Sequence, residues 1–139
     1  MSRSAAAFLL AGVFALSASA QAEIKKVPAR YTSPASGAEM YASYCASCHG
    51  PKGQGDGPVA AHLKTPVPDL TQLSKQNKGV FPKERVGQVI RGEAGVQTHG
   101  LREMPVWGPF FRTMNNSQEP VVRIRVANLT QYLESLQAK

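Results

Sequence analysis

Two cysteines, three histidines and one tryptophan are all that the 139 residues supply of these types. A structural zinc site takes four protein ligands, and with both cysteines spent only His49, His62 and His99 remain to complete one. The cysteines stand three apart, so a disulfide between Cys45 and Cys48 would close too small a loop to stabilise much. Acidic residues are scarce too, nine against sixteen Lys and Arg, for a formal net charge of +7. The basic residues stand singly or in pairs instead of in one block. That argues against a nucleic-acid-binding tail and is compatible with steering toward an acidic partner, or with a solvated surface. No apolar run reaches the roughly 20 residues that cross hydrocarbon. Nor is there a convincing strand, an internal repeat or, beyond the N-terminal stretch, a low-complexity run, so the expected fold is all-α with large loops.

The N-terminal stretch reads as a removable leader. Arg3 precedes an apolar run over residues 5–16, and Ser17-Ala18-Ser19-Ala20-Gln21-Ala22 then offers small-residue cleavage sites after Ala20 and Ala22. Residues 1–22 are therefore expected to be a signal peptide, which makes the compartment periplasmic and leaves a charge of +6, since Arg3 alone is lost. Residues 23–35, with two prolines and little apolar periodicity, are expected to be an extended lead-in, and 36–139 the domain itself, a length that supports one core.

Within the domain, Met40, Tyr41, Tyr44 and Cys45 fall at helical spacing in a stretch without proline, predicting a short helix from Gly37 to the cysteines. Residues 50–57 carry four glycines and predict a tight loop. A second helix is expected from Pro58, stopped by Thr65-Pro66-Val67-Pro68. Pro82 opens a third, with Val86, Val89 and Ile90 as its apolar stripe and Gly92 as its stop. Residues 92–109 are rich in Gly and Pro and predict a long loop bearing Met104 and Trp107. From Pro120 onward Val122, Val126, Leu129, Leu133 and Leu136 recur at intervals of four, three, four and three, the strongest helical pattern in the chain.

Chemistry concentrates in Cys45-Ala46-Ser47-Cys48-His49. Two residues between the thiols match the separation of the two vinyl groups of haem, and a histidine immediately after the second places imidazole beneath the iron. A dithiol redox centre shares the C-x-x-C spacing but normally follows a strand in an αβ setting, whereas this motif follows a helix and precedes a Gly-rich loop. A covalent haem also gives a Gly- and Pro-rich chain with few long helices a large apolar body to pack on.

From Gly37 to the C-terminus the sequence resembles the class I cytochromes c, in a bacterial branch. Gly37, Tyr41 and Cys45 stand four apart as the family's small residue, aromatic and first haem cysteine do. Cys-Ala-Ser-Cys-His-Gly follows, and Gly57-Pro58 and Met104-Pro105 resemble the family's Gly-Pro and distal-ligand strings. Leu129-Thr-Gln-Tyr-Leu133 looks like its closing helix. The resemblance implies the cytochrome c fold around one covalent haem c, with the first and last helices meeting at Gly37 and Tyr132. It also implies that the Pro58 carbonyl receives the second ring nitrogen of His49. Thr71, in Asp69-Leu70-Thr71, is a further possible contact to the haem edge as a propionate donor.

His49 leaves one axial position on the iron. Met104 is best placed for it, with Pro105 stiffening its loop and Trp107 offering an aromatic beside the haem. Met114 lies beyond Phe110-Phe111, Met40 shares a helix with Cys45, and His62 or His99 would instead make a bis-histidine site. The expected function is electron transfer without catalysis, between redox partners with acidic docking faces. The alternatives are a haem enzyme or gas sensor with a displaceable sixth ligand, or a cytochrome subunit of a larger oxidoreductase.

Overall fold

A computed structural model describes residues 30–93, 104–114, 116 and 118–138. The leader expected at 1–22, the start of the expected lead-in and His99 lie outside the described residues. Among the described residues six α-helices follow one another: α1 (Gly37–Tyr44), α2 (Ala46–His49), α3 (Leu73–Gln76), α4 (Lys83–Arg91), α5 (Trp107–Met114) and α6 (Glu119–Ser135). Two single 3₁₀ turns, Ala60–His62 and Leu70–Gln72, complete the regular structure, and no strand occurs among the described residues.

Local chemistry accounts for most of the boundaries. Ser36 caps α1, its hydroxyl accepting the Glu39 amide at 3.2 Å. Pro82 sits just outside α4, and Gly92 ends it with φ +77°, a left-handed conformation that costs glycine little. Pro120 occupies the first turn of α6, where its missing N–H has no helical partner to lose.

Two expectations need correction. Only one 3₁₀ turn forms after Pro58, because the prolines at 66 and 68 leave no room to propagate a helix. The segment expected to be loop as far as Pro109 becomes helical from Trp107. Pro109 falls in the first turn of α5, where proline is tolerated, so its presence marks a helix start and not a loop.

The core is built around the crossing of α1 and α6. Met40, Tyr41 and Tyr44 from α1 meet Val122, Val126, Leu129 and Leu133 from α6, with Ile90 and Phe111 closing the sides. Full burial of each such aliphatic side chain contributes about 1.5–3 kcal/mol. Gly37 makes the crossing possible, since a Cβ there would stand 2.7 Å from Tyr132 Cβ and also press on the backbone carbonyl of Asn128. The close approach brings Tyr41 against Tyr132 as a tilted pair with ring centroids 5.3 Å apart. The residue meeting expected from the resemblance is therefore the one observed.

A second aromatic group, Tyr44, Trp107, Phe110 and Phe111, joins α1 to α5 with centroid separations from 5.3 to 6.2 Å. The lead-in packs as well. Thr32 is fully buried, and the Tyr44 hydroxyl donates to Arg30 O at 2.6 Å, so the chain before Ser36 forms part of the packed body. At the other end, Gln137 donates to Leu70 O and accepts the Ser74 amide at 2.9 Å, while Ala138 N donates to Thr71 O. Those bonds tie the C-terminus to the segment that walls the site.

Candidate functional site

The chain turns sharply after α1. Cys45 caps the helix with its amide on Tyr41 O at 2.9 Å, α2 adds a single turn, and Gly50 ends it at φ +78°. Cys45, Cys48 and His49 thus stand on adjoining short helices. The loop that follows is bonded back onto them: Gly55 N donates to His49 O at 2.9 Å, Gly57 N to Cys48 O at 3.1 Å and Val59 N to Ser47 O at 2.9 Å. Tyr41, buried beneath, donates its hydroxyl to Gly50 O at 2.6 Å. The glycines let backbone reach backbone where a side chain would intrude, and the result is a rigid platform for the motif.

Above the platform lies a cavity of about 530 Å³, within the range of cofactor and ligand sites. Its walls include Cys45, Cys48 and His49, the extended run from Thr65 to Pro68, Val86 and Ile90 of α4, and Leu129 and Leu133 of α6. Met104, Pro105 and Trp107 complete it, and Arg85, Gln76 and Asn77 supply polar groups among the mostly apolar lining. Four of the residues singled out from sequence as anchors or ligands, Cys45, Cys48, His49 and Met104, therefore line one cavity, with Trp107 beside them.

The remaining candidates are placed elsewhere. Pro58 is exposed and does not line the cavity; the carbonyl facing His49 Nδ1, at 3.4 Å, is that of Pro68. The physical reason is chain direction. The loop at 50–57 turns back under α2, and the proline-stiffened run that ends in Pro68 passes alongside the imidazole, held by Leu70 N donating to Gly53 O at 2.7 Å.

Thr71 is also outside the cavity walls, because its hydroxyl donates to Asp69 Oδ1 at 2.6 Å and its amide to the same oxygen at 2.8 Å. Asp69 is the cap of the 3₁₀ turn, and capping uses up the threonine's donors. His62 is exposed in its turn. Met114 is not among the cavity walls, its sulfur lying 3.6 Å from the Tyr44 hydroxyl oxygen. Pro68 was missed in the sequence, although its position in a Pro-x-Pro run marked it as a stiffly held carbonyl acceptor.

Burial, and then the neighbouring Cys48, pushes the Cys45 thiol up to about 12. Redox-active dithiols work through a thiolate whose pKa is lowered, so this environment is the reverse of theirs. Among the described residues no group of three or more His, Cys, Asp and Glu is arranged to hold a metal ion, which removes the zinc reading for them. The donor set fits haem instead: two thiols three residues apart, an imidazole next to the second, a thioether on the same cavity, and apolar walls for a flat apolar ring.

The family model described as cytochrome C oxidase, cbb3-type, subunit III, matches residues 32–118. No curated protein and no solved structure matches the chain. Among the described residues no helix is long and apolar enough to cross a membrane.

Proposed function

The chain belongs to this cytochrome c family and binds covalent haem c with its iron, and from that premise we propose that it is a mono-haem electron carrier with His49 and Met104 as axial ligands. The observation that carries the reading is the convergence of Cys45, Cys48, His49 and Met104 on one apolar cavity. Haem supplies a one-electron iron couple, and a methionine sulfur on it raises the potential.

The chain's own residues do the rest. Cys45 and Cys48 hold the group by thioether links. The Pro68 carbonyl favours a proton on His49 Nδ1, which leaves Nε2 for the metal and fixes the ring's orientation. Leu129, Leu133, Val86 and Ile90 would pack against the bound group and keep water from it. With His49 and Met104 both holding the iron no substrate site would be needed, and the protein would act as a carrier without catalysis.

Optical spectroscopy of the haem-loaded protein tests the ligand set. The ferric form is expected to show the weak long-wavelength band that reports thioether ligation, lost in Met104→Ala and kept in Met114→Ala. A wild type without that band, whose reduced form binds carbon monoxide readily, would make the protein a haem enzyme or gas sensor.

Arg85 lies exposed on the cavity wall, and Lys64 and Lys75 are exposed immediately beside wall residues Leu63 and Gln76. This basic rim, together with the positive net charge, supports partners with acidic docking faces. Electron transfer to such a partner is expected to slow several-fold between about 10 mM and about 150 mM salt, as the screening length falls from roughly 30 Å to roughly 8 Å. Stopped-flow kinetics at the two concentrations measures it. The description of the matching family favours a second reading with the same chemistry, in which the chain is the cytochrome subunit of a larger oxidoreductase. The leader over residues 1–22 and the extracytoplasmic attachment of haem implied by the resemblance support a periplasmic location.

A further inference from the structure

Arg125 is 0 % exposed, among the largest fully buried side chains. Buried cations are normally paired with a carboxylate, because an unpaired charge in the interior is costly. None of the ion pairs among the described residues includes Arg125. Its Nη1 donates to Thr32 Oγ1 at 3.0 Å and its Nη2 to Thr32 O at 2.8 Å, while Nε has no partner. The guanidinium lies 5.1 Å from the centre of the Tyr31 ring and 5.7 Å from that of Phe111. Among the described residues only neutral dipoles and aromatic faces therefore compensate the guanidinium charge.

This charge is coupled to the cavity by two short routes. Thr32 Oγ1 also bonds the Tyr44 hydroxyl, at 2.9 Å, and Tyr44 lines the cavity. Phe111, on the other side of the guanidinium, stacks at 6.2 Å on Trp107, another wall residue. Along α6, Arg125 stands one turn before Leu129, which is also on the wall. One layer of side chains separates the cation from the site. Its two bonds to Thr32 stabilise the packing of the lead-in segment, but a neutral donor could make them as well, so they do not by themselves account for a full positive charge there.

We propose that Arg125 is a positioning charge that raises the reduction potential of the haem held in this cavity. Oxidation adds one positive charge at the iron, and a fixed cation nearby in a poorly polarisable interior disfavours that state. Coulomb's law at an effective dielectric of about 20 gives roughly a tenfold change in a one-electron equilibrium for a unit charge on the order of 10 Å away. The inference rests on the electron-carrier reading.

The test is a spectroelectrochemical titration of the full haem-loaded chain as wild type, Arg125→Gln, Arg125→Met, Arg125→Lys and Arg123→Gln. Both neutral variants are expected to lower the ratio of reduced to oxidised protein at fixed potential about tenfold, equivalent to about 59 mV for one electron. Arg125→Lys keeps the charge and is expected to stay within about twofold of wild type. Arg123→Gln, an equal charge change at an exposed position of the same helix, is expected to do the same. Arg125→Met guards against a failure of the glutamine variant to fold.

An unchanged potential in the neutral variants, with only the melting temperature lowered, would make Arg125 purely structural. Equal shifts in the neutral and lysine variants would assign the effect to the Thr32 hydrogen bonds and overturn the charge role. The long-wavelength ferric band, read in the same samples, separates this result from the ligand assignment: a missing band with the shift intact sinks Met104 ligation alone.

Discussion

Cys45→Ala combined with Cys48→Ala is expected to abolish covalent haem attachment completely. The two thiols are the only ones in the chain, and both lie on the cavity wall three residues apart on the α1–α2 turn. Without them, haem that still binds through His49 should be lost on a denaturing gel, where the wild type retains haem-dependent peroxidase staining. Each single variant should retain one thioether and stain more weakly. The double variant should also melt at a lower temperature, because apolar walls such as Val86, Ile90 and Leu133 would face water whenever the group dissociates, at about 25 cal/mol per Å² exposed. Staining that survives in the double variant would sink the attachment site.

Gly37→Val should be the most damaging single substitution outside the haem site. A Cβ at this position would lie 2.7 Å from Tyr132 Cβ and 2.9 Å from the Asn128 carbonyl carbon, and α6 backbone has no rotamer with which to yield. Relief requires α1 and α6 to separate, which would loosen the Tyr41–Tyr132 ring contact and the Met40–Leu129 core around it. Overpacking of this kind costs roughly 3 kcal/mol, which lowers the melting temperature by on the order of 15 °C in a domain of this size. Ala38→Val, next in sequence but exposed, should cost about 1 kcal/mol or less. Thermal melts of the two haem-loaded variants make the comparison, and equal melting temperatures would refute the crossing as the sensitive point.

Much of this architecture was legible beforehand because it rests on short-range rules. The interval pattern of Val122, Val126, Leu129 and Leu133 is a property of one helix, and all four are buried where that pattern puts them. The start of α1 follows from Ser36, and the end of α4 from Gly92. Pro109 misled for an equally local reason. Proline breaks a helix in its interior and favours one in its first turn, and nothing within a few residues of Trp107 says which position it takes.

The site divides in the same way. Haem chemistry was readable in Cys45-x-x-Cys48-His49 because the spacing of a covalent cofactor's attachment points is imposed within five consecutive residues. Met104 was readable only as the best of several methionines. Three-dimensional placement, with Met114 turned to Tyr44 and Met104 on the cavity, is what distinguishes them. Which proline carbonyl meets His49, and whether Thr71 has a free donor, depend on how the loop at 50–57 and the run at 65–68 pass each other, a matter of long-range packing.

Arg125 shows the limit most plainly. By sequence it is one of two arginines in a helix with an apolar stripe, and arginine is ordinarily exposed. Only the fold brings Tyr31 and Thr32, more than ninety positions away, over its guanidinium. That a haem is bound, and which five residues are proposed to anchor it, could be read from sequence because covalent spacing and helical periodicity are local. The tertiary structure alone decided what surrounds it, because burial and electrostatic neighbours are set by segments distant in the chain.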